Sequence, residues 1–463
     1  MVFSSILFLF RFMPIAFLIY YLVPKKLKNL SLLILSLVFY CWGEVRYFPI
    51  MVASIMVDYI ASNGIEAHRD DPRACKRFLL LSVIFNLGML GFFKYTDFLI
   101  ANINALFGTS IGFLSITLPL GISFYTFQTM SYTIDVYRGK VRAERNIIDF
   151  GAFVVLFPQL IAGPIVRYTD VSRELKERST DLGQIQSGVS SFIVGLGRKV
   201  LIANACGALW TEVEGIGFAN VSTPLAWLGV LAFTLQIYFD FSGYSLMAIG
   251  LGRMLGFEFP QNFNYPYVAR SITEFWRRWH MTLGSWFREY VYIPLGGNRV
   301  SRGRLVFNLF VVWGLTGLWH GASWNFVMWG LYFFVLLVIE KFWLHGFLEQ
   351  HPVFSHLYLV VLVMISWSLF AITDLSQLGV FWSRMFGAFG GTDWMYYLRN
   401  YWVVLLMGCV FSAPVVPAAV KKLEALGKKR YQPLQMAALG VVLVLSVAYL
   451  VDATYNPFLY FRF

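Results

Sequence analysis

The stretch GLTGLWHGASWNFVMWG, Gly314 to Gly330, is apolar enough to lie inside a bilayer, yet it holds an imidazole, His320, between Trp319 and Gly321. The rest of the chain agrees with a membrane setting. Of 463 residues, 58% are hydrophobic and 13% are charged, and the mean hydropathy is +0.64. Soluble domains carry nearer a quarter charged residues, and here apolar runs recur from end to end. The reading is therefore one continuous transmembrane domain over 1–463.

Apolar stretches long enough to cross fall near 2–23, 29–45, 47–65, 78–94, 113–136, 187–209, 225–251, 305–320, 324–343, 355–373, 397–418 and 433–451. They predict an all-α polytopic membrane protein with roughly 11–12 transmembrane helices. The N-terminus reads as the first span, because no basic n-region precedes it and no small-residue cleavage site follows. The region 433–463 reads as the last span and its tail. The net charge of +12 gathers in six short loops: PKKLKN (24–29), HRDDPRACKR (68–77), YRGKVRAER (137–145), RYTDVSRELKER (167–178), NRVSRGR (298–304) and KKLEALGKKR (421–430). The positive-inside rule places all of them in the cytosol. That reading displaces nucleic acid as a partner, since no aromatic–basic nucleic-acid module is present. Membrane lipids are the expected surroundings.

Two segments depart from the pattern of spans. FGAFVVLFPQLIAGPIV (150–166) is apolar but flanked by basic loops, so a re-entrant hairpin is expected, broken at Pro158, Gly163 and Pro164. The region 253–304 is aromatic, basic and punctuated by Pro and Gly. The four cysteines stand far apart and no Cys/His spacing suggests zinc, so no metal is expected. GTSIG (108–112) fits G-x-S-x-G, but it lies between apolar helices rather than in a hydrolase sheet, and carries no weight.

Plotted at about 100° per residue, 274–290 divides as one helix, with Met281 the exception. Trp276, Trp279, His280, Leu283, Trp286, Phe287 and Tyr290 fall on one side. Glu274, Arg277, Arg278, Thr282, Ser285, Arg288 and Glu289 fall on the other, with Arg277 and Arg288 nearly superposed. An interfacial helix accounts for most of this, with rings in the acyl boundary and guanidinium groups at the headgroups. The sharper reading turns the arginines toward a phosphate-rich cytosolic ligand such as coenzyme A, for which Arg is suited.

On a helix His320 would share a face with Trp313, Thr316, Gly317, Ser323 and Trp324. Thr316 and Ser323 would hydrogen-bond it, while Gly317 and Gly321 would admit another backbone or a substrate. A buried imidazole tied to a neighbouring helix is the structural alternative. Ionisable groups inside a membrane are costly and more often mark a reaction centre or pathway, and His is suited to general-base work near neutral pH. Asp58, Asp135 and Asp240 are further intramembrane ionisables. Asp58 reads as structural, and Asp240 lies in the hydroxyl-rich QIYFDFSGYS.

Four strings carry a resemblance: LPLGISFYTFQTMSYTIDVYRG (118–139), FPQLIAGPIVRY (157–168), FDFSGYSLMAIGLGRMLGFEFPQNFNYPYVARSITEFWRRWHMTLGSWFREYVYIPLGGNR (239–299) and LWHGASWNFVMWG (318–330). With the opening MVFSS and the closing FLYFRF, they resemble the membrane-bound O-acyltransferases, in the alginate O-acetyltransferase-like branch. The block 239–330 is the most specific. The resemblance implies a membrane tunnel surrounded by spanning, re-entrant and interfacial helices, with His320 catalytic and His280 the second functional position. It implies acetyl-CoA as a donor substrate from the cytosol, with no permanently bound cofactor, and Arg277, Arg278, Arg288, Trp279, Asn298 and Arg299 are its expected contacts. Trp319, Thr316, Ser323, Trp324 and Asp240 would support the tunnel. The acceptor would be an extracytoplasmic polysaccharide such as alginate, reached through a secreted or membrane-anchored acetyltransferase partner, and the location would be the bacterial cytoplasmic (inner) membrane. Two departures stand out: Leu246 where the family pattern has Asp, and Glu289 where Asp is common. Competing readings are an acyltransferase for a lipid or protein acceptor, and a permease in which His320 and Asp240 relay protons.

Overall fold

The computed structural model describes residues 1–425 and 428–452. The closing FLYFRF, the tail after 452 and part of the basic loop 421–430 lie outside them. Among the described residues the chain is helical with no strand, and it divides into two compact units.

The first unit is Met1–Phe192 with Ala248–Pro260. It holds α1 (Met13–Leu22), α2 (Lys28–Glu44), α3 (Phe48–Ala67), α4 (Pro72–Phe107), α5 (Ile122–Tyr137), α6 (Ile147–Val155), α7 (Phe157–Leu160), α8 (Tyr168–Lys176) and the start of α9 (Leu182–Gly197). Asp58, fully buried on α3, accepts hydrogen bonds from Ser82, Asn86 (2.8 Å) and Thr133 (3.0 Å). This carboxylate is satisfied by α4 and α5, as a structural group must be. The segment 150–166 is two short helices and an irregular return, buried throughout. Non-helical backbone at membrane depth survives only inside protein, so the expected re-entrant form agrees with what is seen. The stretch 113–136 is shorter than expected: α5 starts only at Ile122, after Gly121 at φ 74°. Here Pro119 and Gly121 stop the helix where hydropathy alone continues it.

Three of the basic loops meet at one end of this unit. The Asn29 amide donates to Asp149 (2.7 Å) and to the Leu175 carbonyl (2.8 Å). Lys176 pairs with Glu144 (2.7 Å) and Asp149 (2.6 Å). Tyr59 and Asn63, near the end of α3, donate to the carbonyls of Arg145 and Glu144, and Ala143 N–H donates to Glu66 (3.5 Å). Loops assigned to one membrane face by charge are thus bonded to one another.

The second unit is Ile193–Met247 with Gln261 onward. It holds α10 (Asn204–Ile216), most of α11 (Thr223–Met254), α12 (Ile272–Arg278), α13 (Met281–Phe287), α14 (Arg302–His320), α15 (Trp324–Ile339), α16 (His345–Gln350), α17 (Pro352–Ala371), α18 (Leu375–Phe386), α19 (Asp393–Phe411), α20 (Val415–Glu424) and α21 (Lys428–Asp452). α14 and α15 form a tight hairpin crossed at glycines. A Cβ on Gly317 would stand 2.4 Å from the Phe326 carbonyl oxygen, and one on Gly330 would stand 2.4 Å from that of Trp313. Only a hydrogen fits at either position, so the two backbones touch.

Among the described residues, seven helices are long and apolar enough to cross a membrane, or eight if Asp393–Phe411 and Val415–Leu423, bent by 71°, are one span. The larger expected number differs for local reasons. The stretches 29–45 and 47–65 run together as Lys25–Ala67, Phe8–Leu22 is short, and α5 has only 16 residues. The protein is an all-α, multi-pass membrane protein.

Candidate active site

The periodicity that joined 274–290 into one helix is interrupted in the structure. α12 and α13 have seven residues each, and His280 between them is left-handed at φ 42°, ψ 54°. The cause is a segment upstream. Asn264 N–H donates to the Arg278 carbonyl and Met281 N–H to the Asn262 carbonyl, both at 2.9 Å. These bonds take the place of the helical ones, at a conformational cost of about 1–2 kcal/mol for a non-glycine residue. The inside–outside division nevertheless holds. Trp279, His280, Leu283, Trp286, Phe287 and Tyr290 are buried, while Arg277, Ser285 and Arg288 are exposed. Thr282 alone changes side, buried with its hydroxyl donating to Asn262 Oδ1 (2.9 Å).

α12 is held from two directions. Ser271 Oγ accepts from Glu274 N–H (3.0 Å) in an ordinary N-cap. The buried Glu340, just past α15, accepts from Ile272 N–H (2.6 Å), Thr273 N–H (3.0 Å) and the Thr273 hydroxyl (2.9 Å). A carboxylate at a helix N-terminus is favoured by the dipole as well as by these bonds.

The two short helices and α14 border a cavity of about 990 Å³. Of the expected site residues, Arg277, His280, Arg288, Asn298 and Thr316 line it. Lys341, reaching Asn298 Oδ1 at 3.3 Å, lines it too. The charges are unevenly committed. Glu274 is paired with Arg278 (2.8 Å) and Glu340 is bound by α12. Arg277, Arg288 and Lys341 have no carboxylate partner among the described residues. Glu349 lines the cavity as well, facing His345 at 3.5 Å, so what the cavity offers an anion is three cations not paired with a carboxylate, beside carboxylates of its own.

Along α14 the wall runs Leu309, Val312, Trp313, Thr316, and the next position on that face is His320. His320 ends α14, because Gly321 is extended at φ −170° and a Cβ there would strike the Phe326 ring at 2.2 Å. Ser323 and Trp324 therefore belong to the next element rather than to its helical face. The Trp324 side chain is exposed, and the Thr316 hydroxyl donates to its own helix at the Val312 carbonyl (2.7 Å). The imidazole of His320 is 5% exposed and packed among Trp319, Trp329 and Phe370, with ring centroids 4.9–5.4 Å away. The Trp319 ring is 5.1 Å from His320 and 6.0 Å from His280, so one indole touches both imidazoles. His280 Nδ1 meets Asn262 Oδ1 at 3.0 Å. Burial without a neighbouring carboxylate holds His280 neutral, its pKa lowered to about 3.

The remaining expected residues lie elsewhere. Arg278 turns to Glu274 and the Asn264 carbonyl (3.2 Å). Trp279 is core, against Phe263, Phe275 and Trp367. Arg299 is exposed beside Asn298. Asp240 forms a buried ion pair with Lys199. Glycines bring that pair together: a Cβ on Gly195 would stand 2.5 Å from the Gly243 carbonyl oxygen, so α9 and α11 meet backbone to backbone one turn away.

Residues 141–381 match the membrane-bound O-acyltransferase family, a range that contains the broken helix, the cavity and both histidines. The chain belongs to the membrane-bound O-acyltransferase family. It is 42% identical over 400 residues to a protein named "Probable alginate O-acetylase AlgI" from Azotobacter vinelandii, covering 85% of this chain and 79% of that one. A protein of the same name from Pseudomonas putida is 37% identical over the whole length of both. "Peptidoglycan O-acetyltransferase" of Helicobacter pylori is 37% identical over 387 residues, 76% of this chain and 72% of its own.

Four residues that line the cavity or hold the groups named above escaped sequence reasoning. Lys199, Glu340 and Lys341 carried a signal, a charge within or beside an apolar run. Asn262, in FPQNFNYPY, carried none beyond its polarity, because its partners are eighteen to twenty positions away.

Proposed function

We propose that the protein is a membrane O-acetyltransferase that takes acetyl from acetyl-CoA on the cytosolic side. It passes the group across the bacterial inner membrane for O-acetylation of an extracytoplasmic polysaccharide such as alginate. A secreted or membrane-anchored acetyltransferase partner completes the transfer. One observation carries this reading: a single cavity joins three cations not paired with a carboxylate, Arg277, Arg288 and Lys341, to the buried imidazole of His280, and its α14 wall leads toward His320. Cations suit the phosphates of a nucleotide-bearing thioester. The names borne by the relatives support acetyl as the group and a glycan as its destination.

In this reading His320 takes the proton of the acceptor hydroxyl as its oxygen attacks the thioester carbon. The carbon–sulfur bond breaks and the thiolate leaves to be protonated. The packed rings around His320 keep water from the thioester. The ion pair of Asp240 with Lys199 speaks against a proton relay through Asp240, and so against the permease alternative.

The test is release of free thiol from acetyl-CoA by purified protein in nanodiscs, together with the acetate content of surface polysaccharide in cells with and without the gene. Both should depend on this protein. Transport without thioester turnover would favour the permease, and turnover with unchanged glycan acetate would favour a lipid or protein acceptor.

A further inference from the structure

The hydrogen bonds around Asn262 decide which nitrogen of His280 carries the proton. Thr282 N–H lies 3.3 Å from Asn262 Oδ1. A backbone N–H only donates, so the atom facing it is the amide oxygen and not the amide nitrogen. The Thr282 hydroxyl (2.9 Å) and His280 Nδ1 (3.0 Å) meet that same oxygen. An amide oxygen has no proton to give, so Nδ1 must supply one. The amide nitrogen is anchored at its other side, donating to Ser245 Oγ (3.1 Å). In a neutral imidazole a proton on Nδ1 leaves a lone pair on Nε2. His280 is 1% exposed and lines the cavity, and Nε2 has no hydrogen-bond partner among the described residues. The rings nearest the imidazole are neutral: Phe241 at 4.7 Å and Trp319 at 6.0 Å.

We propose that Asn262 is a positioning residue that holds His280 in the Nδ1–H tautomer, so that Nε2 meets the substrate as a hydrogen-bond acceptor. The role in turnover rests on the acetyl-CoA reading of the cavity. His280 then takes a hydrogen bond from a substrate hydroxyl, thiol or amide N–H, and it cannot donate one to the thioester carbonyl. Donation falls to another group, and Trp276 Nε1, which lines the same cavity without a partner among the described residues, has only a proton to offer.

The tautomer is read without substrate, by nitrogen NMR of protein labelled with ¹⁵N-histidine in nanodiscs. Six histidines contribute, and the His280 signals are those lost in His280→Gln. Wild type should show a protonated Nδ1 and a bare Nε2. Asn262→Leu should move the proton to Nε2 or leave a mixture, and should lower kcat for acetyl-CoA turnover roughly 10²-fold while KM changes little. Asn262→Asp keeps the acceptor oxygen, so it should retain the Nδ1 proton and move the acid limb of the kcat/KM profile to higher pH, because a carboxylate favours the imidazolium. If Asn262→Leu does not fold, the Asp variant carries the test. An Nε2–H tautomer in wild type, an unchanged tautomer in Asn262→Leu, or loss of the Nδ1 proton in Asn262→Asp would overturn the proposal. A wild-type protein with the expected tautomer but no thioester turnover would reject the donor reading instead and leave the tautomer assignment standing.

Discussion

At the scale of single residues, His320 is nearly buried among aromatic rings, where charge is costly. If it is the general base, His320→Ala should leave folding and donor binding intact and lower acetyl transfer by roughly 10²–10⁴. His320→Gln separates this from a packing role, because Gln hydrogen-bonds but takes no proton at neutral pH. Transfer by both variants, normalised to folded protein in detergent, decides it: near wild-type transfer by the Gln variant would leave His320 a packing residue. Arg277 has no carboxylate partner among the described residues. If the cavity takes acetyl-CoA as proposed, Arg277→Ala should weaken its binding by about 1.5–3 kcal/mol, with the loss shrinking at high salt. Titration calorimetry at two ionic strengths checks both, and unchanged affinity would return Arg277 to an interfacial role. His280 adds a pH dependence. Its folded pKa, lowered to about 3, lies below the unfolded value, so the stability it contributes is present above about pH 6.5 and falls away as the pH drops. Each pH unit below that point should cost up to about 1.4 kcal/mol, and His280→Gln should flatten the fall of unfolding temperature between pH 6.5 and 5.

At the scale of elements, the α14–α15 hairpin depends on backbone contact that no side chain can yield to. Gly317→Ala places its Cβ 2.4 Å from a carbonyl oxygen, and should destabilise the protein by about 1–3 kcal/mol. Gly314→Ala, three residues away on the same helix, meets nothing within 4 Å. It should be neutral or stabilise by up to about 1 kcal/mol, since Ala is the better helix former. Thermal unfolding of the two variants side by side is the check, and equal effects would deny the crossing. The α12–α13 break shows how far local pattern reaches. The amphipathic division of 274–290 was legible in the sequence because burial follows the sides of the segment even where the helix is broken. The break itself was not legible, because its hydrogen bonds come from Asn262 and Asn264, outside the window of any periodicity.

At the scale of the whole molecule, the basic loops should share the cytosolic face. Single cysteines at Lys26 and Arg142, in a background free of Cys41 and Cys409, should react only with reagent admitted to the cytosol. Labelling of either from outside intact cells would reverse the assignment for loops that the structure bonds into one cluster.

The sequence by itself determined the class, the family and most of the crossing segments, and it singled out His320. Those conclusions follow from hydropathy, from the asymmetry of charge and from strings of residues, which are sums over neighbours in the chain. Only the tertiary structure decided that His320 closes a helix rather than sitting within one, and that Arg277, Arg288 and His280 share a cavity with Lys341. The same holds for the Lys199 pairing of Asp240 and for the contact of Asn262 Oδ1 with Nδ1 of His280. Each of these needs a partner from a distant part of the chain. In a bilayer, where buried polar groups find no water, finding that partner is what settles the state of a buried charge or ring nitrogen.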